Sequence, residues 1–121
     1  HPFYPYDQPF NGSANLHNIP VPAFSRGDAI LAVVSEQWLP ALHMFQPELL
    51  LISACFDAHS DDDLGQLGLV EADYAWMTQV LMQVANAHSK GRIVSCLEGG
   101  YELRSLSTSV EAHIRVLADL Y

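Results

Sequence analysis

Basic residues are scarce in this 121-residue sequence: five Lys and Arg stand against fourteen Asp and Glu, a formal net charge of −9. The one lysine is Lys90, and the four arginines are scattered. A nucleic-acid binder needs a Lys/Arg stripe to neutralise phosphates, so direct nucleic-acid binding is excluded, and an anionic membrane surface is disfavoured for the same reason. No run approaches the ~18 uninterrupted apolar residues of a membrane span, because charge or proline breaks each hydrophobic stretch. An initiating Met, a basic leader and a signal-peptide core are all missing, so nothing points to export. Cysteine is rare too. Cys55 and Cys96 both lie in apolar runs and are expected to be reduced core residues of a cytoplasmic protein. The chain opens at His1-Pro2, which reads as the interior of something longer.

Half of the residues are hydrophobic and only 16% carry charge, which suits one packed domain and excludes a disordered tail. Proline is concentrated early: five of seven fall by Pro22, and residues 1–27 read as irregular chain. From Asp28 to Phe45 the residues Leu31, Val34, Trp38, Leu42 and Phe45 recur at helical spacing. Pro40 is expected to kink or interrupt that helix, and Pro47 to end it. Glu48 to Phe56 holds a continuous apolar run, expected to be a strand covered on both faces. A second helix is expected over 71–89 on the face Tyr74, Met77, Leu81, Val84 and Ala85, closed by Lys90-Gly91. A strand follows over 92–97. A third helix is outlined by Leu103, Leu106, Val110, Ile114 and Leu117.

Such alternation implies an α/β fold with parallel strands and helices on the sheet faces. Two strands cannot cover three apolar helix faces, so further strands are expected from sequence outside this chain. Surfaces left open by their absence would favour self-association. In an open α/β sheet, ligands bind beyond the carboxyl ends of the strands. Here those ends are Phe56-Asp57-Ala58-His59 and Glu98-Gly99-Gly100-Tyr101.

Asp57 therefore sits either in a functional crevice, where a carboxylate can hold zinc or magnesium, or as a cap on the next loop. His59 is a second ligand or, as favoured, a loop histidine bonded to a neighbouring carboxylate. The spacing of Asp57, His59, Asp61 and Asp63 imitates a calcium loop but fails it: position six is Asp62 instead of Gly, and position twelve is Gly68 instead of Glu. The triplet Asp61-Asp62-Asp63 reads as a solvated loop, or a turn with one buried capping carboxylate. Gly99 and Gly100 let the backbone turn and approach a ligand. Tyr101 then presents a phenol able to hold an oxyanion, or else packs on the following helix. No Gly-x-Ser-x-Gly elbow, His-Glu-x-x-His helix or phosphate-binding loop is present.

The segment Ser53-Ala54-Cys55-Phe56-Asp57-Ala58-His59-Ser60-Asp61-Asp62-Asp63-Leu64-Gly65 resembles the Ser-Ala-Gly-Phe-Asp-Ala-His-x-x-Asp-Pro-Leu-Gly motif of the histone deacetylase superfamily, which includes the acetylpolyamine amidohydrolases. Leu97-Glu98-Gly99-Gly100-Tyr101 resembles its Leu-Glu-Gly-Gly-Tyr motif, and His1-Pro2-Phe3-Tyr4-Pro5 and Asn18-Ile19-Pro20-Val21-Pro22 its preceding loop. The resemblance implies a three-layer α/β/α arginase/deacetylase-like fold, of which residues 1–121 form a C-terminal portion. It also implies Zn2+-dependent hydrolysis of an acetylated lysine or acetylpolyamine-type substrate. By position, Asp57 matches a zinc ligand and Tyr101 the tyrosine that holds the scissile carbonyl. Gly99 and Gly100 match the acyl-channel lining, and Tyr4 falls where the channel has an aromatic wall. Cys55 and Asp63 replace the usual Gly and Pro. The family's Asp-x-His zinc pair and His-His dyad do not occur here, so the chain alone is expected to be inactive and to bind zinc weakly or not at all. The alternative is a non-catalytic deacetylase-like remnant acting as an interaction module.

Overall fold

The computed structural model describes residues 15–120; Tyr4 and the His1–Pro5 motif lie outside the described residues. Residues 15–26 are irregular, as their prolines dictate, and lead into α1 (Gly27–Val33). There follow a π-helical turn (Val34–Trp38), α2 (Leu39–Phe45), β1 (Leu50–Ala54), α3 (Glu71–His88), β2 (Ile93–Leu97) and α4 (Leu103–Leu117). β1 and β2 pair in parallel, with Leu50 opposite Ile93 and Ala54 opposite Leu97. Among the described residues no helix is long and apolar enough to cross a membrane.

The helix over 28–45 is widened at Val34–Trp38 instead of broken at Pro40. The Leu39 N–H reaches back five residues to the Val34 carbonyl, so the turn before Pro40 holds one residue more than an α-turn. Pro40 has no N–H to place and its ring needs room behind it; the wide turn provides that room. The extra residue also shifts the phase of everything after it. Leu39, and Leu42 as expected, turn inward against the cluster of Leu50, Val84 and Ala85. Trp38 and Phe45, expected on the buried face, are 41% and 66% exposed.

The expectation that the strands are covered on both faces is also corrected. Among the described residues, helices pack only on the side bearing Leu50, Ile52, Ala54 and Ile93. On the other side Leu51 is 72% exposed, and Val94 is exposed with it. Cys55 and Cys96 are free thiols as expected, but both are exposed instead of belonging to the core. The reason is geometric: side chains alternate across a strand, and this alternation sends them to the uncovered face.

α3 and α4 make the most extensive helix packing in the fold. Of the expected face of α4, Leu106 and Val110 pack against the core, but the seam itself is built from other residues. Ser105, Ser109, His113 and Val116 face inward on α4, whereas Leu103 and Ile114 are exposed. Small serines let the two helix backbones approach closely, and a histidine fills the remaining space. The Thr78 hydroxyl donates to the Tyr74 carbonyl at 2.7 Å. With its one proton used, that hydroxyl accepts from His113 Nδ1 at 2.7 Å, and the Ser95 hydroxyl donates to His113 Nε2 at 2.9 Å. His113 thus joins α3, β2 and α4 as a neutral imidazole.

Burial depresses the pKa of His113 below its ordinary value of 6.5. A depressed folded-state value means that its stabilising contribution is complete above about pH 6.5 and is lost as pH falls through the lowered value. Urea unfolding should therefore show lower stability at pH 5.5 than at pH 7.5, with part of that difference removed by His113→Gln. An equal difference in the variant would assign the pH dependence elsewhere.

Candidate active site

The parallel ladder continues past the named strands. Glu98 N–H donates to the Ala54 carbonyl at 3.0 Å, and Phe56 N–H donates to the Gly99 carbonyl at 2.8 Å. These bonds draw the two strand mouths together and set Asp57 beside Gly99. A Cβ on Gly99 would lie 3.0 Å from the carboxylate carbon and from both carboxylate oxygens of Asp57. The absent side chain is what leaves room for the carboxylate. Gly100 has φ +137°, and a Cβ there would meet Leu106 Cδ1 at 2.6 Å and Phe56 Cβ at 3.2 Å. Gly100 is required by its backbone conformation and its surroundings, and a side chain at Gly99 would push the Asp57 carboxylate aside.

Asp62 ties the two motifs together. Its carboxylate is buried and accepts three backbone N–H groups: Tyr101 at 2.7 Å, Glu102 at 3.0 Å and Leu64 at 3.0 Å. The first of these bonds is the main cause of a carboxyl pKa held below its ordinary value, and the Leu64 bond adds to it. Of the acidic triplet, Asp62 alone is buried, while Asp61 and Asp63 face solvent. Glu102 continues the same construction as the N-cap of α4, accepting from Arg104 N at 3.2 Å and Ser105 N at 2.6 Å. Tyr101 is consequently fixed by its backbone, while its side chain is 60% exposed. It does not pack into α4.

Beneath Asp57 lies a rigid platform. The Tyr74 hydroxyl donates to the Phe56 carbonyl at 3.0 Å, and the Phe56 ring lies 5.1 Å from that of Tyr74 and 5.8 Å from that of His113. Burial raises the Tyr74 pKa, with the nearby Asp57 and Asp62 charges adding to it, so the phenol stays a donor. The Asp57 carboxylate itself is half-buried, and none of the described residues donates a hydrogen bond to it. His59 differs in every respect. Its Nδ1 accepts from Asp61 N–H at 3.1 Å, and its Nε2 faces Glu71 Oε2 at 3.6 Å. It is a buried loop histidine turned toward a carboxylate.

Sequence reasoning did not single out Glu102, Tyr74 or His113 for the parts they have here, and left Asp62 as one of three candidate caps. A Glu directly before a helix pattern was a readable capping signal; Tyr74 and His113 look like ordinary members of a helix face. A groove of about 660 Å³ bordered by His17, Trp38, Leu42, Met44 and Phe45 lies apart from all of these residues.

The model of the histone deacetylase domain matches residues 1–117. The chain belongs to the histone deacetylase family. It is 40% identical over 109 residues to type-2 histone deacetylase 1 of Dictyostelium discoideum, covering 90% of this chain and 7% of that protein. Histone deacetylase 14, chloroplastic, of Arabidopsis thaliana is 37% identical, with 88% of this chain and 25% of the relative covered. The crystal structure of the HDA15 HD domain superposes with a TM-score of 0.76 at 34% identity, covering 82% of this chain and 27% of that one. The chain thus spans a quarter or less of the length of these two relatives. The parallel α/β architecture is that of the deacetylase domains.

Replacing Asp62 by Ala should free the Tyr101 and Glu102 amides. Their hydrogen-exchange protection should fall while that of α3 is kept. Unchanged protection at both amides would remove Asp62 from this role. Gly100→Ala, strained by its φ and by Leu106, should cost ~1–3 kcal/mol in urea unfolding.

Proposed function

We propose that this chain carries part of the catalytic centre of a zinc-dependent deacetylase that hydrolyses the acyl amide of an acetylated lysine or an acetylpolyamine-type substrate. The observation that carries the reading is the convergence, at adjoining strand mouths, of an Asp57 carboxylate with no hydrogen-bond donor among the described residues, two glycines and a Tyr101 ring turned to solvent. An anionic oxygen donor with no competing hydrogen bond suits a zinc ligand. Among the described residues no group of three or more His, Cys, Asp or Glu side chains could hold a metal ion, and Asp57 is the ligand offered at these strand mouths. Zinc bound there supplies Lewis-acid activation of the amide carbonyl and of water.

The remaining roles fall to this chain's own groups. The Tyr101 phenol donates a hydrogen bond to the oxygen that becomes negative as the carbonyl is attacked, opposite Asp57. Its backbone is held in advance by Asp62, so little reorganisation is needed at the moment of reaction. Gly99 and Gly100 present bare backbone, against which an acyl chain can lie closely. His59 and His113 are engaged within the fold and do not serve as the proton-transferring base.

In the full-length parent, Tyr101→Phe should lower turnover on acetyl-lysine peptides and acetylpolyamines by ~10²–10³, the usual cost of one oxyanion donor. Zinc content and melting temperature should stay near wild type, because the ring is largely exposed and its hydroxyl is not used in folding. Asp57→Asn should instead lose zinc. Near-normal turnover of Tyr101→Phe at full zinc occupancy would overturn the catalytic role, and a parent inactive on every acyl amide would favour an interaction module.

A further inference from the structure

A second group of nitrogen donors lies at the other end of α3. His43 occupies the last turn of α2 and His88 the last turn of α3. His43 Nδ1 stands 2.9 Å from His88 Nε2, with the rings edge to face at a centroid distance of 5.2 Å. α3 has 18 residues, so this pair is ~27 Å along the helix axis from the Glu71 end that meets His59. We propose that His43 and His88 form a binding site for a divalent transition-metal cation that takes two imidazoles in cis and completes its coordination with water.

Three independent observations carry this. The donors are placed by contacts that do not involve them. Ser89, fully buried, donates from its hydroxyl to the Pro47 carbonyl at 2.5 Å, and Leu39 and Leu42 pack against Leu50, Val84 and Ala85. The ends of α2 and α3 are therefore joined before any ligand arrives. Next, both histidines lie in last helical turns, where unpaired carbonyls concentrate partial negative charge and favour a cation. The spacing is the third. With metal–nitrogen bonds of ~2.0–2.1 Å, nitrogens 2.9 Å apart subtend about 90° at the metal. That is the cis angle of tetragonal or octahedral Cu2+ and Ni2+, whereas tetrahedral Zn2+ needs the nitrogens about 0.5 Å farther apart.

Proton bookkeeping permits the exchange. In the pair as it stands, one bridging nitrogen carries a proton and donates it to the other. When the donor imidazole moves that proton to its outer nitrogen and the two rings turn, both lone pairs can face the cation, and two neutral imidazoles release no net proton. Lys90 and Arg92 follow His88 in the chain, with Arg92 Nε bonded to the Ser89 carbonyl, so affinity should be micromolar rather than tighter. The absence of any third ligating side chain among the described residues leaves the other positions to water.

The experiment uses the untagged, chelator-treated protein with Ni2+ for affinity by calorimetry and Cu2+ for electron paramagnetic resonance. One equivalent of Ni2+ should bind, and Cu2+ should show nitrogen coordination. His43→Gln and His88→Gln should each weaken binding at least ~10-fold, since even the loss of a ligand's outer partner costs that much. Asp57→Asn should leave binding intact, which separates this site from the proposed catalytic one. His43 is exposed, so its replacement should preserve the helical circular dichroism signal, and His88→Gln provides a second variant. Absence of Ni2+ binding would overturn the proposal. So would affinity unchanged in folded His43→Gln and His88→Gln proteins, or binding abolished by Asp57→Asn.

Discussion

One buried carboxylate holds the two halves of the candidate site in a single arrangement. Asp62 lies in the loop after β1, yet two of its three hydrogen bonds go to the backbone after β2, about forty residues later. A carboxylate out of water is costly unless its lone pairs are used, and backbone N–H donors of fixed direction use them well. Because those donors belong to Tyr101 and Glu102, satisfying Asp62 and positioning Tyr101 are the same event. Glu102 then caps α4, so the constraint passes from loop to helix without a break.

α4 returns the constraint to the sheet. His113 reaches Thr78 on α3 and Ser95 on β2 and lies edge-on to Phe56, the residue before Asp57. Tyr74 closes the circuit from the other side through the Phe56 carbonyl. Tyr74, Thr78, Ser95 and His113 each have a hydrogen-bond partner at good distance, which is the condition under which a buried network specifies one arrangement instead of several. A half-buried Asp57 carboxylate and an exposed Tyr101 ring stand on a base that is itself rigid. The histidine pair at the far ends of α2 and α3 depends on none of this; it rests on the Ser89–Pro47 bond and the leucines of α2.

Local pattern was enough for the order of elements, for the parallel pairing and for the position of Asp57, Gly99, Gly100 and Tyr101 at strand mouths. Apolar runs of five residues between long periodic segments admit little else, and glycine pairs after a strand mark a turn. The family was legible for the same reason, because its motifs are contiguous stretches of chain. Local pattern misjudged Trp38 and Phe45. A turn holding one extra residue shifts every later side chain around the helix, and a count at 3.6 residues per turn cannot register this.

What required the tertiary structure was the choice among residues of one type. Asp61, Asp62 and Asp63 are adjacent and chemically identical, and only the approach of the Tyr101 backbone selects the middle one for burial. His59 and His113 both become buried, one beside Glu71 and one between two hydroxyls, while His43 and His88 meet across two helices. The sequence by itself determined the elements, their order and the family to which they belong, since these follow from neighbours along the chain. Only the fold decided which carboxylate is tied, which cysteines are exposed and which histidines pair, because those outcomes depend on residues brought together from far apart in the chain.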